Sequence, residues 1–139
     1  MRRALFGLGI AVMAVSLWGV GSTDMRAAAD DEAARPEFYM TKVQPIFRAN
    51  CYRCHGGMNR RGGLSLATKA SVMKGGKDGA VVVPGDPAAS LLVKLIRHEG
   101  PANAAKSMPP NAKLSDADIV TVERWIRAGA VMPNDVPPQ

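Results

Sequence analysis

Cys51-Tyr52-Arg53-Cys54-His55 contains both cysteines of the 139-residue chain, with a histidine directly after the second. Two thiols at this spacing can each add across a vinyl group of a porphyrin, and the adjacent histidine can bind its iron from the proximal side. A domain built this way must wrap around a large apolar disc that is part of its covalent structure. A redox dithiol or half a zinc site shares the C-x-x-C spacing, but neither needs the following histidine. A zinc site also lacks ligands, since the only other histidine is His98 and there is no second cysteine pair. The pentapeptide also occurs by chance in cytosolic chains, so the compartment matters.

The start of the chain bears on that compartment. Met1-Arg2-Arg3 is basic, Ala4 to Val20 carries no charge, and Ala27-Ala28-Ala29 offers small residues before Asp30-Asp31-Glu32. This pattern predicts a signal peptide over residues 1–29 and export to the periplasm or an equivalent space. The apolar run is long for a signal, short for a membrane span and diluted by Gly7, Gly9, Ser16 and Gly19; an uncleaved anchor over residues 4–20 is the alternative. No nearby cysteine offers a lipid attachment point, and Arg2-Arg3 alone is weak evidence for twin-arginine export.

Processing after Ala29 leaves 110 residues, enough for one small domain. They keep 15 Lys or Arg against 11 Asp or Glu, an excess that two haem propionates would reduce. No basic stripe with interleaved aromatics occurs, so nucleic-acid binding is not indicated. With both thiols consumed by haem, the porphyrin must do the work of a disulfide staple. The many glycines and prolines leave little core, which predicts a poorly folded haem-free chain.

Helices are expected at both ends, with irregular segments between. Residues 30–36 read as a flexible polar leader, 37–133 as the haem domain and 134–139 as an extended tail. From Pro36, the positions of Phe38, Val43, Ile46 and Phe47 approximate a helical stripe leading into Cys51, with Pro45 expected to kink or restart the helix. Gly56 to Gly63 predicts a basic loop, and Ser65, Thr68 and Ser71 are candidate caps for a short helix over Lys69 to Met73. The Lys74 to Gly79 cluster lacks the spacing of a phosphate loop and reads as a turn. Val81 to Val83 is strand-like. Asp86 and Pro87 read as the start of a helix carrying Ala88, Leu91, Leu92, Leu95 and Ile96, closed by Gly100-Pro101. Ser115 and Asp118 open the last helix, with Ile119, Val122, Trp125 and Ile126 on one face, Arg124 and Arg127 in its final turns and Gly129 beyond. The terminal helices are expected to pack on each other.

An iron bound by His55 needs a sixth ligand or an open position. The candidates are Met40, Met58, Met73, Met108, Met132 and His98. Met108 stands out because Ser107-Met108-Pro109-Pro110 lies between two helices, and its prolines stiffen the approach of a weak thioether ligand. Met58 follows His55 too closely to reach the opposite porphyrin face. Met40 and Met73 read as core or haem-edge packing, and His98 as a solvated imidazole at a helix end.

The segments CYRCHGG, GGLSL, KGGKDG, VVVPGDPAASLLVKLI, MPPNAKLSDADI and WIRAGA, in that order, resemble the planctomycete-type cytochrome c domain, a relative of the small class I mono-haem cytochromes c. The resemblance runs from about Phe38 to Pro133. It implies an all-α class I cytochrome c-like domain with thioether links at Cys51 and Cys54, His55 as proximal ligand and Met108 as distal ligand. In that family the domain often ends larger exported proteins; this sequence shows only the domain, so no built-in enzyme is expected and the redox partner is unidentified.

Three functional classes follow. A six-coordinate His/Met haem c suits a monomeric electron carrier, because no coordination position is open to substrate. The same chemistry suits the cytochrome subunit of a separately encoded periplasmic dehydrogenase. A peroxidase or gas sensor requires Met108 to leave the iron or never to bind, and His98 is the sole, poorly placed candidate for a distal acid–base group. Arg48, Arg53, Arg60, Arg61, Lys69, Lys74 and Lys77 gather in sequence around the motif, either as a docking ring for an acidic redox partner or as a solvated loop.

Overall fold

The computed structural model describes residues 22–99 and 107–134. In chain order they form α1 (Ser22–Ala33), α2 (Pro36–Phe38), a π-helical turn (Tyr39–Val43), α3 (Gln44–Asn50), α4 (Tyr52–His55), a 3-10 turn (Arg61–Gly63), α5 (Lys69–Lys74), α6 (Leu91–Ile96) and α7 (Asp116–Arg127). The all-α expectation holds. Among the described residues the nearest approach to a sheet is one isolated antiparallel bridge, Gly76 to Gly79, within the predicted turn.

Pro45 acts differently from a simple kink. It has no N–H to donate one turn back, and the chain adjusts before reaching it: Gln44 N–H donates to Tyr39 O, five residues away, closing the π-helical turn. Pro45 then falls in the first turn of α3, where a missing donor costs nothing. The shift in register keeps the path from Pro36 to Asn50 helical and carries Tyr39 and Phe47 into the core.

Those two rings receive α7. The Trp125 ring lies 5.6 Å from Tyr39 and 5.9 Å from Phe47, the latter edge to face. All three side chains are fully buried, and the indole Nε1 donates to Val131 O at 2.8 Å. Aromatic burial of this kind is a large apolar contribution with a defined geometry. Ile119, Val122 and Ile126 complete the predicted buried face of α7. Ser115 caps its start by accepting the Asp118 N–H at 3.1 Å. Its end closes with Gly129 N–H on Ile126 O (2.9 Å) and Ala130 N–H on Trp125 O (2.9 Å).

The N-terminal leader departs from expectation. Residues 30–33 are the last turn of α1, and Ala33 is fully buried. The cause lies in α7: the Arg124 guanidinium donates to Ala29 O at 2.8 Å and to Glu32 at 3.2 Å, and sits 5.1 Å over the Phe38 ring. The boundary expected after Ala29 therefore falls inside a helix. Residues 1–21, and with them the apolar run, lie outside the described residues, as do Gly100-Pro101 and 135–139 of the expected tail. No helix among the described residues is long and apolar enough to cross a membrane.

Two assignments between the helices also change. The helix expected from Pro87 begins at Leu91. Ser90, fully buried, turns its hydroxyl back to donate to Asp86 O (2.8 Å) and accept the Val83 N–H (2.9 Å), while the Asp86 carboxylate caps only the Ala89 N–H (2.9 Å). Residues 87–89 thus form a turn of their own. Val81 to Val83 forms no strand, and Val81 O is taken by Leu92 N–H at 2.8 Å.

Candidate functional site

Helix α3 leads directly into the Cys-x-x-Cys-His turn. Cys51 N–H donates to Phe47 O at 2.8 Å, continuing the helical pattern, while its φ of −121° bends the chain before α4. Cys54 N–H (3.1 Å) and His55 N–H (2.8 Å) both donate to Cys51 O. Residues three and four positions apart on such a turn share a side, so both thiols and the imidazole belong to one face. The cysteines are free and half-buried, and Cys51 packs against the core.

The exit from this turn is also specified. A Cβ at Gly56 would lie 2.5 Å from Tyr52 O, a contact that real side chains do not make, so glycine permits the chain to leave directly after His55. Leu66 N–H then donates to His55 O at 2.8 Å, and the Asn59 amide to Arg53 O at 3.0 Å. Nothing in residue spacing announces the Leu66 bond; the Gly56 requirement was legible only as part of a glycine-rich loop.

His55 Nδ1 is buried without a hydrogen-bond partner. Buried polar atoms are seldom left unpaired, and a redox role or a bound ion is among the explanations for an exception. Together with two unbridged thiols on the same turn, this fits residues arranged to hold a covalently attached haem: Cys51 and Cys54 as thioether donors and His55 as iron ligand.

Burial, aided by the nearby Cys54, pushes the Cys51 thiol up to about 12 from its ordinary 9.0. The folded haem-free chain therefore favours the protonated thiol, and this contribution to stability is full below pH 9 and lost as pH rises toward 12. Cys51 should accordingly react slowly with iodoacetamide at pH 8 in the folded haem-free chain and rapidly in urea, as followed by peptide mass spectrometry. Equal rates in the two states would show that the thiol is not shielded.

The methionines separate by environment. Met132 is buried in the core, Met40 and Met73 pack against it, and Met58 is 98% exposed. Met108 is half-buried and stands outside that core cluster. Its N–H donates to Leu95 O at 3.1 Å, the carbonyl that also accepts His98 N–H at 3.1 Å. Among the described residues no hydrogen bond joins the Met108 segment to the Cys-x-x-Cys-His turn.

His98 has a structural task that the sequence did not reveal. It is exposed, with φ of 62°, and Glu99 N–H reaches back to Lys94 O at 2.8 Å. With the His98 bond to Leu95 this is a Schellman closure of α6, in which the left-handed residue is usually glycine. His98→Gly should raise stability by ~0.5–1 kcal/mol, because a left-handed side chain costs roughly 1–2 kcal/mol and glycine's extra chain entropy returns part of it. A thermal midpoint that falls in this variant would contradict the assignment.

Helices at both ends, one aromatic core and a Cys-x-x-Cys-His turn with an unpaired buried imidazole nitrogen define a cytochrome c-like domain. Residues 51–112 match the family model described as planctomycete cytochrome C, which supports a planctomycete-type cytochrome c domain. A domain of this family is a haem-binding electron-transfer unit. No curated protein and no solved structure matches the chain. The match is narrower than the resemblance from Phe38 to Pro133; helices α2, α3 and α7 and the π-helical turn fall outside it, yet supply Phe38, Tyr39, Phe47 and Trp125 to the common core.

Proposed function

We propose that this is an exported, monomeric mono-haem c-type cytochrome that carries single electrons between periplasmic or membrane redox partners. The observation that carries the reading is the single turn bearing Cys51, Cys54 and His55, its imidazole Nδ1 buried and unpaired. One such motif implies one haem c. When bound, that group supplies a reversible one-electron couple at iron.

Met108 is the proposed distal ligand. Met40, Met73 and Met132 are engaged with the core, Met58 adjoins the proximal turn, and His98 serves a helix end. The Leu95 carbonyl would hold the Met108 backbone in place while its thioether binds. With His55 and Met108 both binding the iron, no position would be open to substrate, which would favour a carrier over a catalyst. Residues 1–29 are proposed to direct export, with retention of the segment over 4–20 as a membrane anchor the alternative. Absorption spectra of the exported protein, oxidised and reduced, test the reading: a low-spin c-type spectrum supports it, and a high-spin ferrous spectrum would move a peroxidase or gas sensor ahead.

A further inference from the structure

Residues 41–79 hold eight Lys or Arg and one acidic residue, Asp78. Asp78 is engaged by Lys77 at 2.7 Å, and among the described residues Arg48, Arg53, Arg60, Arg61 and Lys74 form no salt bridge. All five are exposed. Hydrogen bonds to backbone carbonyls hold part of this charge together: the Asn59 side-chain amide donates to Arg53 O, Arg60 Nε to Gly57 O at 3.2 Å, and Lys77 N–H to Gly62 O at 2.8 Å. The last bond brings the Lys74 to Gly79 turn against the loop that carries Arg60 and Arg61.

At the same place the surface is concave. A cavity of about 320 Å³ is lined by Tyr52, Arg53, Gly56, Gly57, Met58 and Asn59, with Met58 98% exposed. Arg53 lines this cavity and Arg60 bonds to Gly57 at its edge, and neither charge is compensated by a salt bridge among the described residues.

We infer that this surface docks an acidic protein that exchanges electrons with the haem, with carboxylates meeting Arg53, Arg60 and Arg61 and an apolar side chain seated against Met58. The inference rests on the proposed haem reading and adds the partner's chemistry. Arginine, methionine and tyrosine are the side chains enriched where proteins meet proteins, and the arginine fork matches a carboxylate in two bonds. A lipid surface would use the charge but leave the concavity unfilled. Steering by such charges raises association rates about 10- to 1000-fold at low salt and is screened over ~8–10 Å.

The test uses the haem-loaded protein and two inorganic reductants in stopped flow, anionic Fe(II)-EDTA and cationic hexaammineruthenium(II). Reduction by the anion should slow at least about threefold as salt rises from low to physiological levels, and reduction by the cation should quicken. Arg60→Glu/Arg61→Glu should lower the low-salt anion rate about tenfold, whereas Arg35→Glu/Arg127→Glu, equal in charge change, should leave it within about twofold. Equal effects of the two variants, or rates indifferent to salt, would overturn the proposal while an intact haem spectrum leaves the cytochrome reading standing. Phosphatidylglycerol vesicles supply the other arm. Failure to float the protein at physiological salt agrees with a protein partner; flotation lost in Arg60→Glu/Arg61→Glu would replace that partner with a membrane.

Discussion

Met108→Ala should lower the reduction potential, on the order of 0.1 V or more within the ~0.8 V that axial ligation spans. A thioether favours ferrous over ferric iron, so replacing it with water removes that preference. The same variant should lose the weak sulfur-to-iron charge-transfer band of the ferric state. Its ferrous form should bind CO, which the wild-type protein should resist. The structure sharpens the controls. Met58→Ala alters an exposed side chain, Met73→Ala one packed against the core, and His98→Gly a helix end, so each should leave the axial spectrum nearly intact. His98→Gly is the most informative of these, since His98 and Met108 share the Leu95 carbonyl as acceptor. A spectrum unchanged by His98→Gly and altered by Met108→Ala separates a ligand from a neighbour that only closes the helix. Rapid stoichiometric CO binding by wild-type ferrous protein would show that the sixth position is open. If removal of His98 alone changes the spectrum, the site is bis-histidine.

What was legible in the sequence was whatever a local signal specifies. The buried face of α7 follows from the spacing of Ile119, Val122, Trp125 and Ile126, and its start from the Ser115 hydroxyl. The Cys-x-x-Cys-His turn is likewise local, since the Cys54 and His55 N–H groups that close it both donate to Cys51 O. The misread elements depend on distant partners. Residues 30–33 are polar and lack a strong stripe, and their helix gains its tertiary anchor from Arg124, some ninety positions away. Asp86-Pro87 is a sound helix start, but Ser90 takes the competing bonds and moves α6 to Leu91. Val81 to Val83 has the composition of a strand and forms none, and α6 takes the Val81 carbonyl. Pro45 announced a disturbance without saying which of a kink, a break or a π-helical turn would absorb it. His98 looked like a solvated imidazole because a left-handed cap by a residue other than glycine leaves no mark in the pattern.

Cys51→Ser/Cys54→Ser should abolish covalent haem altogether, and this is the largest effect expected of any substitution in the chain. Wild-type protein denatured in acid–acetone should keep its colour and the mass of one haem, while either single variant keeps one thioether or fails to mature. Free extraction from wild type would sink the assignment of the site. The double variant also measures what the haem contributes to folding. The aromatic packing of Tyr39, Phe47 and Trp125 is polypeptide against polypeptide, so α3 and α7 retain a reason to associate. The loop after the turn has less to hold it: Leu66 N–H on His55 O and Lys77 N–H on Gly62 O are bonds between irregular segments. The haem-free chain should therefore melt at least roughly 10 °C below wild type, ~2 kcal/mol for a domain of this size. Hydrogen exchange should quicken first over residues 56–80, before the amides of α7. A cooperative transition at the wild-type midpoint would show that the polypeptide core suffices by itself. Early loss of α7 protection would show instead that the haem supports the terminal helices directly.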